Sequence, residues 1–173
     1  MLLQDFDYTL PAECIARFPA EPRESARLLV VDRRTGDLCH KNVRDLVELL
    51  SPNDLVVIND TRVIPARLFA HEPTGKMFEI LLLKPLPTED RWRCLIRPGK
   101  KIRGSQGLIL KDDTEVTVVR EPEGFSVLFP PTIGSDFFGW LATVGEPPIP
   151  PYLERSAEAA DWTRYQTVFA KTH

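Results

Sequence analysis

Residues 59–62, Asn-Asp-Thr-Arg, set an amide, a carboxylate, a hydroxyl and a guanidinium side by side, directly after the apolar run Leu55-Val56-Val57-Ile58. That run is too short for a helix and is flanked by turn formers, which predicts a strand buried on both faces. In an open α/β sheet, ligands bind just past strand ends, so Asn59, Asp60, Thr61 and Arg62 are candidates for a polar substrate pocket. The plainer alternative is an Asx turn at Asn59 and Asp60, with Arg62 and Arg67 as solvated surface charges.

A second signal is positive charge. Arg91, Arg93, Arg97, Lys100, Lys101 and Arg103 are six cations in thirteen residues with no acid among them. Each phosphate contact made by such a group releases counterions, so the strip can bind a nucleic-acid backbone although the whole chain carries a net charge of −3. A solvated hairpin tip is the competing reading. Strand alternation sets Trp92, Cys94 and Ile96 on the face opposite Arg93, Leu95 and Arg97, so Trp92 reads as core rather than as a base-stacking platform.

Several chemistries lack their signatures. Cys14, Cys39 and Cys94 form no CxxC pair and read as reduced, buried thiols, and His40, His71 and His173 have no metal-ligand spacing, so no metal site is expected. The glycines never fall as GxGxxG or GxxxxGK[ST], and no GxSxG elbow occurs, so neither a dinucleotide fingerprint, a phosphate loop nor a hydrolase nucleophile is supported. With 43% hydrophobic and 27% charged residues the composition is that of a soluble globular protein. No apolar run approaches a membrane span, and Asp5 interrupts the start where a signal peptide needs apolar residues, so a cytoplasmic location without membrane association is expected.

The elements that must position these residues follow from periodicity. Ala26–Asp32 and Leu38–Asn42 around a glycine-containing turn predict a hairpin; Asn42 as cap, with Val43, Leu46, Val47 and Leu50 at helical spacing, predicts a short helix stopped by Ser51-Pro52. With the strand at 55–58, this suggests an α/β layer. From about Phe69 to Phe129 five β-type runs (77–84, 91–97, 108–111, 115–120, 125–129) separated by turn formers predict a small barrel or sandwich. Helical period then returns, with Ser135 as cap and Ile133, Phe137, Leu141 and Val144 about one turn apart. The proline-rich stretch 146–152 predicts an extended, surface-lying crossing between domains, and Trp162, Tyr165, Val168 and Phe169 predict a last helix with little chain left to pack on.

The order of several segments carries a family resemblance: residues 5–32, Asp54–Leu68 (DLVVINDTRVIPARL), the FEILLL strand at 78–83, RPGKKIRGS at 97–105, GEPPIPPYLER at 145–155 and RYQTVFA at 164–170. Together they resemble the amino-terminal half of the S-adenosylmethionine:tRNA ribosyltransferase-isomerases of queuosine biosynthesis. One departure is a single glycine, Gly75, where the family often has a pair before the FEILLL-type strand.

The resemblance implies a fold of α/β plus all-β type: an incomplete large α/β domain (1–68, resuming at 147–173) interrupted by a small inserted β-barrel (69–146). It implies transfer and isomerisation of the ribosyl unit of S-adenosylmethionine onto a 7-aminomethyl-7-deazaguanine wobble base in tRNA, with no cofactor beyond that substrate. The pocket residues it points to are Asn59, Asp60, Thr61 and Arg62, with Arg67 and Tyr165 behind them, while Arg97, Lys100, Lys101 and Arg103 would meet tRNA phosphate; no catalytic base is identified. The expected partners are tRNA, S-adenosylmethionine and a separate carboxy-terminal half. A non-catalytic RNA-binding β-barrel module and an inactive gene remnant are the competing readings.

Overall fold

The computed structural model describes residues 2–87 and 90–171. Thr88 and Glu89 of the expected turn at 85–90, and His173, lie outside the described residues. The chain divides into two compact units, Met1–Ile58 with Pro150–Arg155, and Asn59–Ile149 with Ser156–His173.

In the first unit the expected hairpin forms. Strands β1 (Arg27–Val31) and β2 (Leu38–Asn42) pair antiparallel, Leu29 opposite His40. Asp32 builds the turn by accepting the Arg34 N–H at 2.8 Å, and Gly36, at φ +80°, supplies the left-handed residue that closes it. Asp45 then accepts the Asn42 N–H at 2.7 Å, but the first turn, Val43–Asp45, is 3₁₀ and the α-helix α1 covers only Leu46–Leu49.

The strand expected at Leu55–Ile58 is not formed, and Leu55 and Val57 are 89% and 86% exposed. A doubly buried strand needs hydrogen-bonded neighbours on its edges and layers on both faces. The first unit offers only the two-stranded β1–β2 sheet among its described residues. All buried apolar side chains among the described residues lie between Ala66 and Ile149, so the α/β layer expected here has no core of its own. Cys14 and Cys39 are accordingly exposed, not buried; only Cys94 is inside.

The second unit holds a closed antiparallel barrel of six strands: β3 (Arg67–His71), β4 (Met77–Pro85), β5 (Arg91–Arg97), β6 (Ser105–Leu110), β7 (Glu115–Glu121) and β8 (Gly124–Leu128), in the order β3-β4-β5-β8-β7-β6. Five of these are the runs read from the sequence; β3 is the sixth, and its pairs Ala70↔Leu110 and His71↔Ile109 close the barrel. Alternation sorts the faces, with Leu68, Ala70, Phe78, Ile80, Leu82, Cys94, Ile96, Leu108, Leu110, Val116, Val118 and Val127 turned inward.

Helix α2 (Phe137–Val144) carries Leu141 and Val144 into this core. Its cap is Asp136, not Ser135: an Asp136 carboxylate oxygen accepts the Gly139 N–H at 3.0 Å. Phe137 stacks on Trp92 with centroids 5.4 Å apart, which confirms Trp92 as a packing residue, and Trp140 Nε1 donates to Asp112 at 2.9 Å.

Two further expectations are corrected. The stretch 146–152 is surface-lying only at its end: Pro147 is buried and Ile149 is only 1% exposed, whereas Pro151 and Tyr152 are exposed and belong to a 3₁₀ turn, Pro151–Leu153. Glu146 pairs antiparallel with Arg67, so the chain leaving α2 runs along the start of β3 and takes its alternate residues inward. The last helix is also shorter than its apolar spacing suggests: α3 covers Asp161–Arg164 only, and Val168 and Phe169 are exposed beyond it. Four residues is about one turn, too little to propagate without packing along its length. No helix among the described residues is long and apolar enough to cross a membrane.

Candidate functional site

The Asn-Asp-Thr-Arg segment opens the second unit. Asn59 Oδ1 accepts the Thr61 N–H at 2.9 Å, the Asx turn named above, and the Asp60 carbonyl accepts the Lys171 N–H at 2.8 Å. Two residues on, the side chain of Gln166 imitates a strand partner: its Nε2 donates to the Val63 carbonyl at 2.7 Å and its Oε1 accepts the Val63 N–H at 2.8 Å. Both backbone groups of Val63 are thereby satisfied by one amide, which fixes this segment against the residues after α3.

Between these pieces lies a cleft of about 200 Å³, whose walls include Arg62, Phe138, Asp161, Trp162, Tyr165 and Gln166. Phe138, Trp162 and Tyr165 remain 43%, 42% and 37% exposed. Asp161 is buried, and its carboxylate accepts the Glu158 N–H at 2.8 Å.

Of the pocket residues read from the sequence, Arg62 and Tyr165 meet in this cleft. Asn59, Asp60 and Thr61 are exposed and do not line it. Arg67 lies on β3, where its Nη2 donates to the Ile149 carbonyl at 2.7 Å and its Nε lies 3.0 Å from Glu79 Oε1. That Nε–H is not aimed at the carboxylate, so the contact is ionic without a directed hydrogen bond. Sequence reasoning missed Phe138, Asp161, Trp162 and Gln166 as cleft residues, Trp162 having been read only as a packing residue of the last helix. Phe138 and Asp161 have ordinary helical roles in the pattern, and nothing local marks Gln166, whose partner is 103 positions away.

The basic strip resolves into two groups. Arg91 is paired with Glu121 and also donates to Ser126 Oγ at 3.1 Å, and Arg93 pairs with Glu123 at 2.6 Å. The Arg93 hydrogen bond holds the Glu123 carboxyl below its ordinary pKa. Arg97, Lys100, Lys101 and Arg103 are exposed and make no ion pair among the described residues. The fully buried Ile102 between Lys101 and Arg103 pins the loop to the barrel.

Arg120 on β7 joins this second group, a residue that the sequence strip does not contain. Its N–H donates to the Gly104 carbonyl at 2.7 Å, and its guanidinium lies 5.2 Å from the Phe125 ring centroid and 3.5 Å from the Gly99 carbonyl. No group of three or more His, Cys, Asp or Glu side chains suited to a metal ion occurs among the described residues.

Fold and site together define a small-barrel protein with an aromatic-walled cleft and a cationic loop in one unit. The chain belongs to the family described as queuosine biosynthesis protein, whose model matches residues 3–173. It is similar to proteins named S-adenosylmethionine:tRNA ribosyltransferase-isomerase, at 46% identity in Pelobacter propionicus, over 99% of this chain and 50% of the relative. A second, in Geobacter sulfurreducens, is 44% identical over 99% of this chain and 50% of its own length. The crystal structure of an S-adenosylmethionine tRNA ribosyltransferase from Thermotoga maritima is 41% identical, covering 72% of this chain and 44% of that one with a TM-score of 0.32. The chain thus spans about half the length of the curated relatives it matches.

Proposed function

We propose that this chain is the amino-terminal half of an S-adenosylmethionine:tRNA ribosyltransferase-isomerase, acting in the cytoplasm on tRNA. The reaction joins the ribosyl unit to the aminomethyl nitrogen of the 7-aminomethyl-7-deazaguanine wobble base, breaks the bonds to adenine and to the methionine sulfur, and leaves epoxyqueuosine. A sulfonium acidifies the adjacent C5′ protons, so a positioned base can begin such chemistry with S-adenosylmethionine as the sole small-molecule substrate. The observation that carries this reading is the family match over residues 3–173.

In this reading the large domain is an α/β layer made of 1–68 and 147–173 completed by further chain, and 69–146 is its inserted barrel. The exposed apolar run Leu55–Ile58 supports a need for that further chain, because an uncovered apolar segment gains its burial only from neighbours. Arg62 and Tyr165 are assigned to the substrate pocket, Asn59, Asp60 and Thr61 to its approach, and Arg67 to holding the rim. Arg97, Lys100, Lys101 and Arg103 are assigned to tRNA phosphate.

Residues 1–173 by themselves do not turn over substrate in this account, since loss of close positioning alone can forfeit ~7–11 kcal/mol of barrier lowering. The test measures adenine release from S-adenosylmethionine in the presence of tRNA bearing the deazaguanine precursor. Release is expected only when a carboxy-terminal half taken from a relative is added. A normal rate from residues 1–173 alone would overturn the half-enzyme reading; tRNA binding with no release under either condition would favour an RNA-binding module instead.

A further inference from the structure

We propose that Glu79 is a positioning residue that links the cationic loop to the cleft: a phosphate held by Arg97 frees the Glu79 carboxylate to close fully on Arg67, which in turn fixes the Pro147 wall. The proposal rests on the function above only for the assignment of Arg97 to phosphate.

Strand register places the three charged groups in one row on the outside of the barrel. Leu68, Ile80 and Ile96 are turned inward, so Arg67, Glu79 and Arg97, each one residue away, share the outer face of β3, β4 and β5. Glu79 stands directly opposite Arg97 across β4 and β5, and diagonal to Arg67 across β3 and β4, where Arg67 faces Leu81 and Phe69 faces Glu79. One carboxylate is thereby set between two guanidinium groups. It sits on Arg67, with Oε1 3.0 Å from Nε, while Arg97 is exposed and makes no ion pair among the described residues.

The pair with Arg67 is incomplete. Arg67 Nε is buried, yet its N–H is not directed at the carboxylate and has no acceptor. A buried donor without an acceptor is unfavourable, so a better arrangement lies within reach of a small turn of the Glu79 side chain. The charge that draws the carboxylate the other way is that of Arg97, its cross-strand neighbour. Phosphate on Arg97 offsets this pull, and Glu79 then turns onto the Arg67 Nε–H.

Arg67 passes the change on. Its Nη2 donates to the Ile149 carbonyl at 2.7 Å and its backbone pairs with Glu146, so it grips the chain on both sides of Pro147, a residue of the cleft wall. The crossing has no slack at its start, where a Cβ on Gly145 would lie 2.0 Å from the carbonyl oxygen of Pro65, another wall residue. A better-anchored guanidinium therefore steadies the Ile149 end of a segment whose other end is already fixed.

The experiment is NMR on residues 1–173, titrated with tripolyphosphate as the phosphate probe. It follows the Arg67 Nε–H, the amide of Ile149 and the amides of Lys100–Arg103. The probe should move the loop amides, shift the Ile149 amide and slow exchange of the Arg67 Nε proton roughly fivefold, the worth of one net hydrogen bond. Glu79→Gln and Arg97→Gln should each abolish the Arg67 response while the remaining loop cations still take up the probe. Glu79→Asp, which keeps the charge, should retain part of it. Melting curves check folding, and Arg97→Gln, a change at an exposed side chain, carries the test should Glu79→Gln fail to fold. Loop binding without an Arg67 response in the unaltered chain overturns the proposal, as does a response that survives in either glutamine variant. No probe binding at the loop overturns it together with the phosphate assignment. An intact response with no adenine release in the completed enzyme would remove the transferase reading and leave this coupling standing. Adenine release without the response would do the reverse.

Discussion

Replacing Arg97, Lys100, Lys101 and Arg103 together with alanine should flatten the salt dependence of tRNA binding. These four cations are exposed and lack an acidic partner among the described residues. Each phosphate they contact contributes about 0.7–0.9 to the log–log slope, so four contacts are worth roughly 3. Over a fourfold rise in salt the unaltered protein should then lose roughly 60-fold more affinity than the variant. The control must preserve net charge, because Arg93→Ala alone would unmask the Glu123 carboxylate that it neutralises at 2.6 Å. The double variant Arg93→Ala/Glu123→Ala removes a cation already matched and should leave the slope where it was. Adding Arg120→Ala to the quadruple variant should remove about one further contact's worth of slope, about 0.7–0.9. Fluorescence anisotropy with labelled tRNA across a salt series measures all of these. An unchanged slope in the quadruple variant, or equal flattening in the Arg93/Glu123 control, would refute the reasoning that unpaired cations alone carry the contact.

Four other outcomes follow from the packing. A Cβ at Gly145 would collide with the Pro65 carbonyl oxygen, which as backbone cannot swing away, so Gly145→Ala should cost about 1–3 kcal/mol by calorimetry and a neutral result would show slack in this crossing. Gln166→Ala removes both partners of Val63 and should destabilise by about 1–3 kcal/mol, visible as faster exchange of the Val63 amide proton; unaltered exchange would count against the clamp. Burial pushes the Cys94 thiol from 9.0 up to about 12, so the neutral thiol is favoured in the fold. That contribution is complete below the unfolded value near 9 and is lost as pH climbs from there through about 12, so a stability profile over this alkaline range should be flatter in Cys94→Ala. Native labelling should also modify Cys14 and Cys39 while sparing Cys94.

The barrel was legible because its information is local: alternation in residues 77–129 states which side chains face inward, and short turns leave few pairings to choose from. Strand β3 was harder, since Arg67-Leu68-Phe69-Ala70-His71 contains a small residue at a core position and gains its identity only when β6 closes on it. Leu55–Ile58 failed for the opposite reason: its pattern states a demand for burial that no strand of the first unit meets among the described residues. In the cleft, Arg62 and Tyr165 were named from resembling segments, whereas Gln166, next to Tyr165 in the same segment, was not, because a backbone-pairing amide looks like any polar residue. The cationic strip was readable as composition, but its division was not, as Glu121 and Glu123 lie two strands further along the chain.

Arg67 and Glu146 exchange both backbone hydrogen bonds, at 3.2 Å and 2.8 Å, so the point where the chain enters the barrel is bonded to the point where it leaves the capping helix. Everything between them is a loop closed at its neck. The closure entropy of such a loop grows only slowly with its length. Hairpins within the barrel can therefore lengthen, shorten or exchange their tips without moving the neck. That gives evolution a region in which to retune the contacts of the cationic loop while leaving the Val63 clamp and the cleft beside it undisturbed.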